Sequence, residues 1–296
     1  MYMIKDFLSD FIDKTRKLNV LIIGETIVDE FIYVNYEGQS MKSICPVFKL
    51  ESREKIVQQG GAAAIFNHLK EFVKSVNFIT NTNNEIVKTR YVDINDNKKH
   101  VEINKFDTAS FPVINVDTKD YDIVIVADFG HGFCDKLTIN DGFHLMCQTN
   151  SNNFGFNRIS KWKSYKKKSV CVDLREASLQ VNKRIHFNQP DELLELFNYE
   201  MKTENLFLTL GQSGSVYTNG KEIIKQKKYE SEIVDTIGAG DTFFTFACLV
   251  SAIPHDNIEN IMRIPALAAS LSTTWLCNEK SVTQNSLLKY ADKLFT

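Results

Sequence analysis

The chain has 296 residues, 43% of them hydrophobic and 24% charged, with a formal net charge of −2. That is enough chain for one α/β domain with a small appendage and a sizeable core. The balanced charge excludes bulk attraction to nucleic acid or anionic membrane, and no apolar stretch approaches the ~20 residues that span a bilayer. Six cysteines lie far apart with no C-x-x-C. They read as reduced thiols of a cytoplasmic protein rather than a disulfide framework or zinc site. Met1 to Asp6 carries an early acid and no apolar run, so no secretory signal is expected there.

In chain order, Ile4, Phe7, Leu8, Phe11 and Ile12 recur at helical spacing, which predicts a helix over 3–17. Leu18 to Ile23 is a short apolar run before Gly24 and suits a buried parallel strand. Residues 30–50 read as two short strands with a loop. Gly60-Gly61 opens a helix to about Phe72, and Val76 to Thr80 forms the next strand. Lys88 to Asp93 and Lys99 to Phe106 alternate around Asn95-Asp96-Asn97, a hairpin signature. Further core strands are expected at Ile123–Ala127, Val170–Val172 and Phe207–Leu210, with a helix at 190–201. A hairpin near Gly214 to Ile224 and helices at 257–276 and 283–294 complete the chain. Alternating strands and helices imply a three-layer α/β/α domain around a parallel sheet. Segments 30–50 and 88–106 break that alternation and predict a small inserted β-sheet.

The most informative stretch is Asp235-Thr236-Ile237-Gly238-Ala239-Gly240-Asp241, followed by the apolar run Phe243 to Val250. A glycine-rich turn opening a helix points unpaired N–H groups and the positive end of the helix dipole at one spot. That spot suits phosphate, or the charge that develops as phosphate is transferred. Asp241 at its lip can accept a proton from an attacking hydroxyl. The same residues also make an ordinary turn with a capping aspartate. Neither a P-loop nor a G-x-G-x-x-G after the first strand is present, so two other nucleotide-binding devices are excluded. Asp29, just beyond the first strand, is placed for hydrogen bonds to a ligand, since open parallel sheets bind at their carboxyl ends. Gly60 and Gly61 let backbone approach that ligand closely.

The string Asp235–Asp241 resembles the C-terminal signature of the ribokinase-like sugar kinases, the PfkB family. G-E-T-I-V-D (24–29), P-V-F-K-L-E (46–51), Q-Q-G-G-A-A-A (58–64) and V-K-T-R-Y-V (87–92) resemble the kinase part of bacterial heptose-phosphate kinases, which belong to that family. The resemblance runs from about Val20 to Val282. It implies an ATP-dependent sugar or sugar-phosphate kinase in which Asp241 is the base and Gly238, Ala239 and Gly240 form the anion hole. Asp29, Gly60, Gly61, Lys88 and Arg90 would face the sugar under a β lid that also forms a homodimer contact. Thr209, Gly211 and Gly214 would run along ATP. Asp173-Leu174-Arg175-Glu176 is similar to the family's N-x-x-E motif, so Glu176 with Asp173 would organise Mg²⁺, although the same spacing is a helix-capping pattern. A monovalent cation such as K⁺ would sit behind the anion hole with Asp235 as one ligand.

This sequence also departs from the family. Ala64 stands where an Asn is usual, and His131 where the heptose kinases have Lys. The segment Thr80–Val87 is short, and a polar run occupies 148–157. These changes leave the phosphotransfer end intact and the sugar unspecified. A nucleoside or small-alcohol kinase, or a non-catalytic sugar-phosphate binder, stays open at this point. No H-x-G-H motif marks a fused nucleotidyltransferase.

Overall fold

The computed structural model describes residues 2–82, 85–106, 111–148, 157–180, 182, 191–192, 194, 202–254 and 257–295. The expected helix at 190–201 and most of the polar run 148–157 lie outside the described residues.

The fifteen strands among the described residues are numbered in chain order. The central sheet contains β1 (Asn19–Gly24), β5 (Ser75–Ile79), β9 (Ile123–Asp128), β11 (Phe143–Cys147), β12 (Lys167–Asp173), β13 (Thr203–Thr209), β14 (Ser215–Thr218) and β15 (Ile223–Gln226). Its order is β15-β14-β13-β12-β11-β9-β1-β5, parallel except at the β13-β14-β15 end. Side chains alternate across it as the strand period requires. Val20 and Ile22 join the core under helices Tyr2–Thr15, Ala62–Leu69, Ala239–Ser251, Asn260–Ser272 and Gln284–Phe295, while Leu21 and Ile23 join the core of the opposite face. This mixed α/β arrangement, with helices packed on a central sheet, agrees with the expected fold class.

A second sheet contains β2 (Thr26–Gln39), β3 (Pro46–Leu50), β4 (Ile56–Gly61), β6 (Ile86–Asp93) and β7 (Lys99–Lys105), in the order β3-β2-β6-β7 with β4 also on β2. A two-residue pair, β8 (Ile114–Asn115) with β10 (Leu137–Thr138), stands apart. The second sheet starts earlier than expected. β2 begins at Thr26, directly after β1, so Asp29 sits within a strand and not on a loop. Gly60 and Gly61 end β4 before the helix that starts at Ala62. The parallel β2–β6 register sets Asp29 beside Lys88 and Phe31 beside Arg90. Phe31, Tyr33, Val92 and Cys277 form a small core that seats this sheet on the C-terminal loop.

β11 went unread in the sequence because His144 interrupts its apolar run. The ring is buried and its Nδ1 lies 2.7 Å from Ser169 Oγ on β12, which satisfies the polar group inside the sheet. Lys167 breaks the expected start of β12 in the same way. Its buried ammonium donates to the carbonyls of Trp162 at 2.7 Å and Tyr165 at 2.6 Å. No described helix is long and apolar enough to cross a membrane.

Candidate active site

The carboxyl ends of β12 and β13, the second sheet and the start of helix Ala239–Ser251 enclose a cleft of about 700 Å³. Asp29, Gly61, Lys88, Arg90, Asp173, Glu176, Thr209, Gly211, Gly214, Gly238, Ala239, Gly240 and Asp241 all line it, so residues more than two hundred positions apart meet in one space. Gly60 stands one layer back. A Cβ there would lie 2.5 Å from Asp29 Oδ2 and 2.9 Å from Asn278 Nδ2, so the glycine makes room for those two side chains.

Gly238 takes a left-handed conformation, with φ of 83°, and ends the turn before the helix. Among the described residues the N–H groups of Gly238, Gly240 and Asp241 meet no acceptor, whereas that of Ala239 reaches Thr236 O at 3.3 Å. The open set therefore differs from the expected trio in one member, Asp241 in place of Ala239. Gly238 is required by the fold, because a Cβ would lie 2.5 Å from Asn278 Oδ1. Gly240 is not, because the nearest atom to a Cβ there is Met146 Cε at 3.8 Å. The vacant volume beside Gly240 faces the cleft, where a ligand can approach the open amides.

His68 sets this turn from behind. Its Nδ1 accepts the Val282 N–H at 3.0 Å, so Nε2 carries the proton and donates to Thr242 Oγ1 at 3.0 Å. The Thr242 hydroxyl then donates to Gly238 O at 3.0 Å. Burial lowers the His68 pKa to about 4, which keeps the ring neutral in this relay. An isolated histidine in the helix after Gly61 carried no sequence signal for this role.

Asp241 accepts no side-chain hydrogen bond from the described residues. Burial raises its carboxyl to about 7, with the Asp29 charge adding and the Lys88 ammonium opposing. A carboxylate poised near neutrality, with its lone pairs unengaged, is suited to take a proton from a bound hydroxyl. At the sugar end expected from sequence, Arg90 Nη1 pairs with Asp29 Oδ1 and Arg90 Nε donates to Glu102 Oε2 at 2.9 Å. Arg90 is thus occupied, and it orients Asp29. Among the described residues no hydrogen bond or ion pair engages the Lys88 ammonium, which lies on the cleft wall and is held below its usual pKa mainly by burial. His131 does not line the cleft. Its backbone N–H and Nδ1 both meet the buried Glu25 carboxylate, and its ring packs edge-on to Phe106.

At the other end of the cleft, Asp173 N–H donates to Glu176 Oε2 at 2.8 Å and Glu176 N–H to Asp173 Oδ1 at 2.6 Å. This is a reciprocal capping box. Burial raises Glu176 to about 8, and the charges of Asp173 and Asp241 push it further the same way. The charges of Asp173 and Asp241 outweigh that of Arg175 at Glu176, and such an acidic end of the cleft fits a hydrated divalent cation carried by a nucleotide, since magnesium needs few protein ligands. Among the described residues the one group close enough to chelate an ion directly is Asp93, Asp96 and His100, none of which lines the cleft. Two further cleft atoms, Gln148 Oε1 and Ser215 Oγ, are buried without a hydrogen-bond partner. Asp235 is placed differently from its expected role. Both of its oxygens lie 2.9 Å from Lys99 Nζ, and Oδ1 also accepts the N–H groups of Thr236 and Ile237.

Residues 167–281 match the model of the pfkB family carbohydrate kinases. A 56-residue stretch is 38% identical to an ATP-dependent 6-phosphofructokinase of Thermoanaerobacterium thermosaccharolyticum, a match spanning 19% of this chain and 17% of that enzyme. Two solved structures extend the likeness over the whole fold. The ribokinase of Arabidopsis thaliana complexed with ribose and ATP has a TM-score of 0.62 at 14% identity, covering 93% of this chain and 98% of its own. Phosphofructokinase-2 of Escherichia coli in complex with potassium has a TM-score of 0.61 at 13% identity, covering 95% and 99%. The chain thus has the ribokinase-like fold, and its segment 167–281 carries the pattern of the pfkB family.

Substitution by Ala separates the two glycines. Gly238→Ala is expected to destabilise the fold by about 1–3 kcal/mol, through a positive φ and a collision with Asn278. Gly240→Ala is expected to leave stability unchanged or raise it by up to about 1 kcal/mol, since Ala is the better helix former. Denaturant melts of both variants measure this, and equal losses would mean that Gly240 also serves packing.

Proposed function

We propose that this chain transfers the γ-phosphoryl group of ATP to a hydroxyl of a sugar or sugar phosphate. The observation that carries the reading is the first turn of helix Ala239–Ser251, where open amides and the Asp241 carboxylate face one cleft. Asp241 orients the acceptor hydroxyl and takes its proton. The amides of Gly238, Gly240 and Asp241 stabilise the charge on the moving phosphoryl. Asp29, held by Arg90, accepts sugar hydroxyls, and Thr209, Gly211 and Gly214 line the nucleotide side. Glu176 with Asp173 would hold the water shell of a magnesium ion carried by ATP, which would supply positive charge against the phosphates. The pfkB match over 167–281, and the ribose and ATP named for the Arabidopsis structure, support this division of the cleft.

Lys88 favours an acceptor that already carries a phosphate or another anion. A buried ammonium that no described residue engages invites a charge-assisted bond from the ligand. A heptose phosphate, the substrate class of the kinases that the N-terminal motifs resemble, satisfies that requirement. So does a fructose phosphate, the substrate class named for the bacterial match. A nucleoside or simple alcohol would leave Lys88 unused, and a pure binding protein would have no use for a carboxylate tuned like Asp241. The second sheet, including 30–50 and 88–106, would act as a lid of a single domain. Its strands expose Tyr36, Leu50, Val57 and Ile103, and the loop between β2 and β3 exposes Met41 and Ile44, which supports a homodimer through that sheet.

Asp241→Asn is expected to lower turnover by about 10²–10⁴-fold, because the amide cannot accept the proton. In the wild type, kcat/KM falls as pH drops below about 7, where Asp241 becomes protonated. The stability effect has the opposite sense. The folded-state pKa is raised, so the stability lent by the neutral acid is present below the unfolded value and lost as pH rises through about 7. The Asn variant should therefore melt above the wild type at pH 8 and not at pH 4; wild-type turnover in the variant would remove the base.

Lys88→Ala is expected to lower kcat/KM for a phosphorylated sugar about tenfold or more, and much less for its unphosphorylated analogue. Equal losses on both would redirect the reading to a nucleoside or small alcohol. Light scattering on a sizing column should give twice the chain mass, and Ile103→Asp should shift it to the monomer; a wild-type monomer at all concentrations would contradict the dimer.

A further inference from the structure

We infer that Lys99 is a built-in cation that replaces a monovalent metal ion behind the anion hole, so that this protein works without potassium. The inference rests on the phosphotransferase reading of the cleft. Asp235 is buried and lies three residues before Gly238. Its Oδ1 accepts the Thr236 and Ile237 N–H groups at 2.7 and 3.1 Å and so shapes the turn that presents the open amides. An uncompensated carboxylate there would be costly to bury and would repel the phosphoryl group gathering charge a few residues away. A cation is needed at that point for electrostatic reasons alone.

The protein supplies it. Lys99 opens β7 in the second sheet, and its ammonium spans both Asp235 oxygens at 2.9 Å. With Thr236 and Ile237 on Oδ1 as well, the carboxylate is satisfied by the chain's own groups. A mobile K⁺ would have to share it with the ammonium against like-charge repulsion, so the residues present do not fit a potassium site at Asp235. The cation also comes from the sheet that carries Lys88 and Arg90. Neutralising the turn and seating that sheet are therefore one event.

The test compares potassium chloride with choline chloride at matched ionic strength, for the wild type and Lys99→Met, by thermal melting and by turnover with ATP. The wild type should melt at the same temperature and turn over at the same rate in both salts. Lys99→Met should lose at least about tenfold in turnover in choline, because a buried carboxylate is left unpaired. Potassium should then restore most of that rate and raise the melting temperature of the variant alone by a few degrees. A potassium-specific rise in wild-type melting temperature or turnover would overturn the inference. So would a Lys99→Met variant with full activity in choline, or one whose loss potassium does not repair, which marks a mere tether. If the variant does not fold, the wild-type comparison still decides. The melting arm needs no acceptor, so failure to phosphorylate any sugar would refute the kinase reading without touching the cation result.

Discussion

The end of one helix governs the arrangement of this protein. The first turn of Ala239–Ser251 must keep its amides unpaired, face them into a cleft and hold a carboxylate among them. Unpaired amides inside a fold are normally eliminated, so the surroundings have to sustain them. Gly238 reverses the chain in a left-handed turn. His68 and Thr242 pin its carbonyl from the rear, and Asp235 gathers the preceding N–H groups from the front. Val282 of the C-terminal loop in turn orients His68, and Lys99 of the second sheet holds Asp235, so local geometry at the turn depends on distant parts of the fold.

Charge is distributed with equal economy. Asp29, Lys88 and Asp241 influence one another across the cleft, and burial rather than any single partner holds Asp241 near neutrality. Arg90 is engaged by Asp29 and Glu102, whereas Lys88, also on the cleft wall, is engaged by no described hydrogen-bond or ion-pair partner. At the far end Glu176 rises for the same reason as Asp241, and it would fall when a cation arrives with the nucleotide. On the proposed reading, an anion of the acceptor would complete the site near Lys88 and a cation carried by the nucleotide would complete it near Glu176.

Much of this was legible in the sequence where the chemistry is local. Asp235 to Asp241 is a contiguous string whose glycine turn and carboxylate follow from spacing, although which amides stay open does not. β1, β9 and the hairpin around Asn95-Asp96-Asn97 carried unmixed periodicity. What stayed hidden depends on partners far away in the chain. β11 contains His144, which reads as a break until Ser169 satisfies it. The capping box of Asp173 and Glu176 and a metal-facing pair share one spacing, and the geometry contains both the box and the cleft exposure. Lys99 alternates like any edge-strand residue, and nothing in its neighbours points to Asp235, 136 positions on.

The most direct test of the central claim is a structure of the protein with magnesium, ADP and aluminium fluoride, which mimics a phosphoryl group in transfer. The account predicts the fluoride group within hydrogen-bonding distance of the Gly238, Gly240 and Asp241 amides, beside the Gly240 vacancy, with the Asp241 carboxylate facing its open side. A fluoride group bound elsewhere in the cleft, with those amides facing only water, would contradict it.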